Sequence, residues 1–150
     1  MEQVTFKDIK KSKEVNAYIY KGNSTLGVLG YTDHSAEHAV KVSSMAGKIL
    51  ECLGYGGHTV ELAKIAGYMH DIGNCVNRLD HPHSGALMAH QILRDMKMDY
   101  EDIAVIINAI GMHDEKSGGA VDTVSAALIL ADKTDVRRDR VRNQNKAAFD

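Results

Sequence analysis

Two cysteines in 150 residues, Cys52 and Cys75, are too few for a disulfide framework, so a reducing cytoplasm is the expected compartment. The single proline, Pro82, suits a chain built mostly of helices, because proline breaks a helix interior. No run approaches the roughly 20 apolar residues that cross a bilayer. The amino terminus, with Lys7, Lys10, Lys11 and Lys13 spread through it, lacks the apolar stretch of a signal peptide. Strong charge of one sign is missing too: a formal net charge of −2 removes any global attraction to nucleic acid or an acidic membrane. Neither a stable nucleic-acid partner nor a membrane is expected. With 44% hydrophobic and 25% charged residues the composition is that of an ordinary globular protein, and the length suits one domain spanning 1–150 around one core. Histidine is the anomaly: there are eight, and they cluster beside carboxylates.

Apolar periodicity predicts about six helices. The first covers 5–20, capped by Thr5, with Phe6, Ile9, Ala17 and Tyr20 on one side; that stripe would serve a homodimer as well as the core. Residues 21–31, with Gly22, Gly27 and Gly30, read as a connector without phosphate-loop spacing. A second helix runs from an Asp33 cap to about Leu53, with His38, Val42, Met45, Ala46, Ile49 and Leu53 inward and His34 one turn earlier. The third starts at Thr59 and ends in His70-Asp71-Ile72-Gly73, where Gly73 is placed for a left-handed cap. A polar loop, 74–80, leads to a fourth helix that His81 caps and Pro82 opens, ending near Met96; His90 reads as structural. Asp99 caps a fifth helix whose stripe Ile103, Ile106, Ile110 is continued by His113. Asp122 or Thr123 opens a sixth. Asp132 follows the unbroken apolar run 126–131, and a carboxylate there needs a cation or a strong donor. The tail from Lys133 to Asp150 is dense in charge. It reads either as a solvated helix end, with Asp135 and Asp139 among its charges, or as a phosphate-binding rim.

Each histidine alone has an ordinary reading as a core imidazole with a hydrogen bond. Together, His38, His70 with Asp71, His81, His113 and Asp132 bring metal-type ligands from five helices, and a shared site explains that better than coincidence. His34 competes with His38, and His83 with His81. Cys75 has no second cysteine spaced to help it bind metal.

The order His38, His70-Asp71, Asp132 resembles the defining pattern of the HD-domain superfamily of metal-dependent phosphohydrolases. His81-Pro82-His83-Ser84-Gly85-Ala86 and Ile110-Gly111-Met112-His113 resemble the two additional histidine segments of its binuclear members. The likeness spans about 30–142. The runs 30–34, 66–74 and 131–137 resemble a small stand-alone bacterial group. The resemblance implies an all-α, HD-like helical bundle: 1–30 an amino-terminal helix and connector, 31–142 the core, 143–150 a charged tail. Similar proteins continue past Phe149-Asp150, so the chain is expected to be shortened there.

The resemblance also implies roles. His38, His70 and Asp132 would hold one metal, Asp71 would bridge, and His81 with His113 would hold a second. His38 suits the family's spacing to Val42 better than His34, which would lie at the mouth. Asp71 and His70 are the expected catalytic residues. His34, Asn74, Arg78, Arg137 and Arg138 are the expected substrate contacts; Asn74 stands where many members have a lysine. The ligand set suits Mn, Fe, Ni, Co or Zn, two per chain, better than Mg. The implied reaction is hydrolysis of a small phosphate ester, a metabolite or nucleotide, by a metal-activated water. Alternatives are a di-iron oxygenase of the same fold and a non-catalytic module that holds a phosphate ligand. Pocket walls are expected from 21–34 and 114–121.

Overall fold

A computed structural model describes residues 3–114 and 116–135. These residues form seven α-helices and one 3-10 turn: α1 (Phe6–Lys10), α2 (Lys13–Leu29), α3 (Ala36–Cys52), α4 (Gly57–Met69), the 3-10 turn (Ile72–Cys75), α5 (His81–Asp95), α6 (Tyr100–Met112) and α7 (Thr123–Thr134). Strands are absent among them, and no helix of the described residues is long and apolar enough to cross a membrane.

The centre is α4. Val60, Leu62, Ala63, Ile65, Ala66, Tyr68 and Met69 are all buried, so this helix is apolar nearly all round and has neighbours on every side. It packs on α1, α3, α6 and α7. Gly67 lets α3 come close, since a Cβ there would lie 2.8 Å from the Ser43 Cα. The carboxyl end of α4 therefore delivers His70 to the middle of the molecule.

Several boundaries differ from expectation. The single helix over 5–20 is two helices, because Ser12 turns its hydroxyl onto the Val15 amide and caps a new one. The connector over 21–31 is instead mostly the end of α2, which stops at Gly30 (φ 88°) with the Tyr31 amide bonded to the Leu26 carbonyl. Gly22 is helical for a packing reason: a Cβ there would sit 3.0 Å from the Cys75 amide nitrogen, so the glycine lets α2 rest on the 3-10 turn. Ser35, not Asp33, precedes α3, and α4 begins at Gly57 rather than Thr59. The 74–80 stretch begins inside the 3-10 turn instead of being wholly loop.

Gly73 is no left-handed cap. It lies within that 3-10 turn, where a Cβ would stand 2.0 Å from the His81 carbonyl oxygen and 2.6 Å from the Gly85 amide nitrogen. Its role is to let the first turn of α5 press against the chain that follows His70-Asp71. Asp80, at φ 58°, occupies the cap position of α5, and His81 is already its first helical residue. Asp99 precedes α6 as expected, and Asp122 caps α7 through a reciprocal pair with Ser125.

Candidate metal centre

Five imidazoles converge on two carboxylates. Asp71 lies at the turn between α4 and the 3-10 segment, and its two oxygens face different partners. Oδ2 is 3.0 Å from His70 Nε2 and 3.4 Å from His38 Nε2. Oδ1 is 3.4 Å from His81 Nε2 and 3.6 Å from His113 Nε2. Asp132, in the last turn of α7, places Oδ1 3.1 Å from His38 Nε2 and 3.4 Å from His70 Nε2. His34 stands farther out, with Nε2 3.9 Å from Asp71 Oδ2.

The local sequence explains why every ring presents Nε2. His70 and His113 follow the ends of α4 and α6, where the last helix carbonyls are open to side-chain donors. Their Nδ1–H groups donate to the carbonyls of Gly67 (2.7 Å) and Ile110 (2.6 Å). His81 Nδ1–H donates to the Arg78 carbonyl and His34 Nδ1–H to the Thr32 carbonyl. His38 differs, donating to the Asp135 carboxylate at 2.7 Å. A carbonyl can only accept, so Nδ1 carries the proton in those four rings and each Nε2 is left to face the carboxylates.

The site passes a test for metal on its own geometry. His38 Nε2, His70 Nε2 and Asp71 Oδ2 are buried without a hydrogen-bond partner, although buried polar atoms in folded proteins nearly always have one. They lie within 4.8 Å of one another without forming a hydrogen bond. Bonds of about 2.0–2.2 Å put two ligands of one ion about 3–3.5 Å apart, which matches the spacings above. Groups able to hold an ion are His38, His70 and Asp71; His70, His113 and Asp132; and Asp71, His81 and His113. Four histidines and two aspartates thus fit a divalent ion, with no thiolate involved.

Without an ion the same groups hold one another electrostatically. Burial alone would lower the proton affinity of His70, but the Asp71 and Asp132 carboxylates raise its pKa well above the usual histidine value. His38 is raised for the same reason, through Asp132 and Asp71 against burial. Burial would push the Asp71 carboxyl up, yet His70 and His34 hold it well below the carboxylate range, and Asp132 is held low mainly by His70 and His38. Burial drives His34 down to about 4, assisted by Arg78 and His38 and opposed by Asp71. It is therefore a neutral imidazole near pH 7.

The cluster forms the floor of a cleft of about 820 Å³. Leu29, Tyr31, Thr32 and His34 make one wall, Arg78 to Pro82 another, and Asp114, Lys116 and Ser117 a third, with Ile129, Asp132 and Lys133 closing it. Residues from both expected wall segments thus line it. Arg78 sits over the Tyr31 ring and reaches Asn74 Oδ1 at 3.2 Å and His34 Nε2 at 3.5 Å. Asn74 itself is buried and absent from the lining; it lies behind Arg78 instead of facing the cleft. Arg137 and Arg138, with the charged tail past Asp135, fall outside the described residues. His83 is exposed while His81 is buried in the cluster, and His90 lines a separate groove with Arg94 and Ile103. Lys133, the first residue of the charged tail, lines the cleft wall, and so does Lys116, which no spacing or pattern singles out. Asp135, expected among the charges of the tail, is instead buried.

Comparison with known proteins agrees with this picture. An uncharacterized protein of Methanocaldococcus jannaschii, MJ1020, is 29% identical over 93% of this chain and 62% of its own length. Ribonuclease Y of Enterococcus faecalis is 30% identical over 77% of this chain but only 20% of the enzyme. The chain thus spans about three fifths of the first relative and a fifth of the second. The crystal structure of a predicted HD superfamily hydrolase from an uncultured Thermotogales bacterium superposes with a TM-score of 0.60 at 22% identity, over 81% of this chain and 66% of that one. This shows a shared fold. The family model for the HD domain matches residues 35–142, the stretch that carries every residue of the cluster except His34, and the chain belongs to the HD-domain family.

Proposed function

We propose that this protein is a metal-dependent phosphohydrolase acting on a phosphate ester of a small metabolite or nucleotide. The observation that carries the reading is the split of Asp71: one oxygen faces His38 and His70, the other His81 and His113, as a carboxylate shared by two ions requires. Mn, Fe, Ni, Co or Zn, two per chain, suit this donor set. Bound there, such ions would supply Lewis acidity that offsets charge on the phosphoryl oxygens and makes a hydroxide nucleophile available near neutral pH.

The chain's own groups do the rest. His38, His70, Asp71 and Asp132 would hold one ion, and Asp71, His81 and His113 the other. Arg78, steadied by Asn74 and Tyr31, presents a guanidinium to the cleft at a place suited to a phosphate. Lys116 and Lys133 add positive charge at the walls. His34, neutral near pH 7 with Nδ1–H committed to Thr32, turns Nε2 to the Arg78 guanidinium and so helps to orient it at the mouth. The apolar surfaces of Leu29, Leu79 and Ile129 suit the non-phosphate part of a substrate.

The test begins with the metal content of the purified protein by elemental mass spectrometry, followed by a panel of phosphate mono- and diesters. Because a ribonuclease is among the relatives, short RNA belongs in the panel. Asp71→Ala is expected to lose both ions and all turnover, and His113→Ala to lose one ion. Retained hydrolysis in the Asp71 variant sinks the reading. A protein that holds iron and consumes oxygen with an organic substrate points to the oxygenase alternative.

A further inference from the structure

His38 is the one imidazole of the cluster whose Nδ1–H is not taken by the backbone. It sits in the first turn of α3 (Ala36–Cys52), where the groups without intrahelical partners are amides, not carbonyls. No local acceptor exists of the kind that serves His70 and His113. The acceptor comes from another element: Asp135, directly after α7, places Oδ2 2.7 Å from His38 Nδ1. Its side chain is 2% exposed, and burying a carboxylate is costly unless it is paired. Asp132, three residues earlier, places Oδ1 3.1 Å from Nε2 of the same ring. One helix end thus grips both nitrogens of a single imidazole.

We propose that Asp135 is a positioning residue that orients His38 and, through its charge, makes the ion position of His38, His70, Asp71 and Asp132 the tighter of the two. A carboxylate on Nδ1–H fixes the tautomer, as a carbonyl does, and in addition raises the donor strength of Nε2. The position of Asp71, His81 and His113 has only carbonyl-backed rings and lacks this bias. The inference rests on the metal reading above but not on the reaction catalysed.

The experiment is calorimetric titration of the metal-free full chain with cobalt(II), followed in parallel by the visible absorption of the bound ion. Wild type is expected to show two affinity classes, and His113→Ala to lose the weaker one. Asp135→Asn keeps an acceptor for Nδ1–H but drops the charge; its tight class is expected to weaken by about tenfold, and that of Asp135→Ala by about 10- to 100-fold. The weaker class should stay put in both. An unchanged tight class in both variants overturns the proposal, as does a shift confined to the weaker class or a wild type that takes up no metal. If the alanine variant does not fold, the asparagine variant and the zinc-loaded wild type decide. In the latter, proton NMR should place the His38 Nδ1–H resonance farther downfield than those of the carbonyl-bound rings, and its absence there counts against the idea. A metal-loaded protein with both classes intact but no phosphoester turnover defeats the proposed reaction and leaves the role of Asp135 standing.

Discussion

At the scale of residues, two kinds of side chain hold the site: those that converge there, and those that leave no room for anything else. Gly73 is of the second kind. A methyl group there would meet the backbone of His81 and Gly85, which cannot rotate away as a side-chain tip can. Gly73→Ala is therefore expected to destabilise by about 1–3 kcal/mol or more and to displace the start of α5 with His81. Denaturant melts would read the first effect, and loss of one bound ion the second. Gly54 is a contrast: its φ is 86° and a Cβ there meets nothing within 4 Å. Gly54→Ala should cost only the left-handed backbone penalty, about 1–2 kcal/mol, with metal binding unchanged.

At the scale of elements, each candidate ligand is set at a helix end or a turn, so helix termination and site construction are one event. α7 shows the separation of roles along a single helix. Its amino end is closed by the reciprocal Asp122 and Ser125 pair, while its carboxyl end carries Asp132. Asp122→Ala is expected to cost about 1 kcal/mol and to leave the ion count unaltered, since the damage lies at the far end. Ile106, fully buried in α6, should cost about 2–5 kcal/mol on truncation to alanine, measurable by the same melts.

At the scale of the whole molecule, the charge cluster ties stability to pH and to metal. His38 and His70 have raised pKa values in the metal-free fold. Their contribution is complete below the unfolded value of about 6.5 and is lost as pH rises through the folded values. His34 is lowered from 6.5 to about 4, so its contribution is present above 6.5 and is lost as pH falls toward 4. Chelated protein should therefore melt highest near about pH 6.5 and lower on either side. Metal replaces the protons at Nε2, so added manganese should abolish the alkaline loss. Each ion, at a free concentration about 100-fold above its own Kd, should add about 2.7 kcal/mol. Equal melting temperatures with and without chelator at about pH 8 would contradict this.

The sequence by itself determined that the chain is all-helical, because apolar spacing near 3.6 with one proline admits little else, and the helices around Ala46, Ile65 and Ile106 are where the periodicity puts them. It also supplied the residue types of a metal centre, with histidine and aspartate at helix ends. Glycine was misread where its cause is tertiary. Gly22 and Gly73 mark close approaches between distant segments, which nothing in local spacing distinguishes from a connector or a cap. Whether His81 or His83 turns inward depends on α5 starting at His81, which the contact of Gly73 with that turn decides. Asp135 looks like one charge among many in a polar tail, and only the packing of α7 on α3 brings it to His38. Local periodicity records which face of a helix is apolar; which polar atoms meet depends on how the helices pack, because those contacts join residues far apart in the chain.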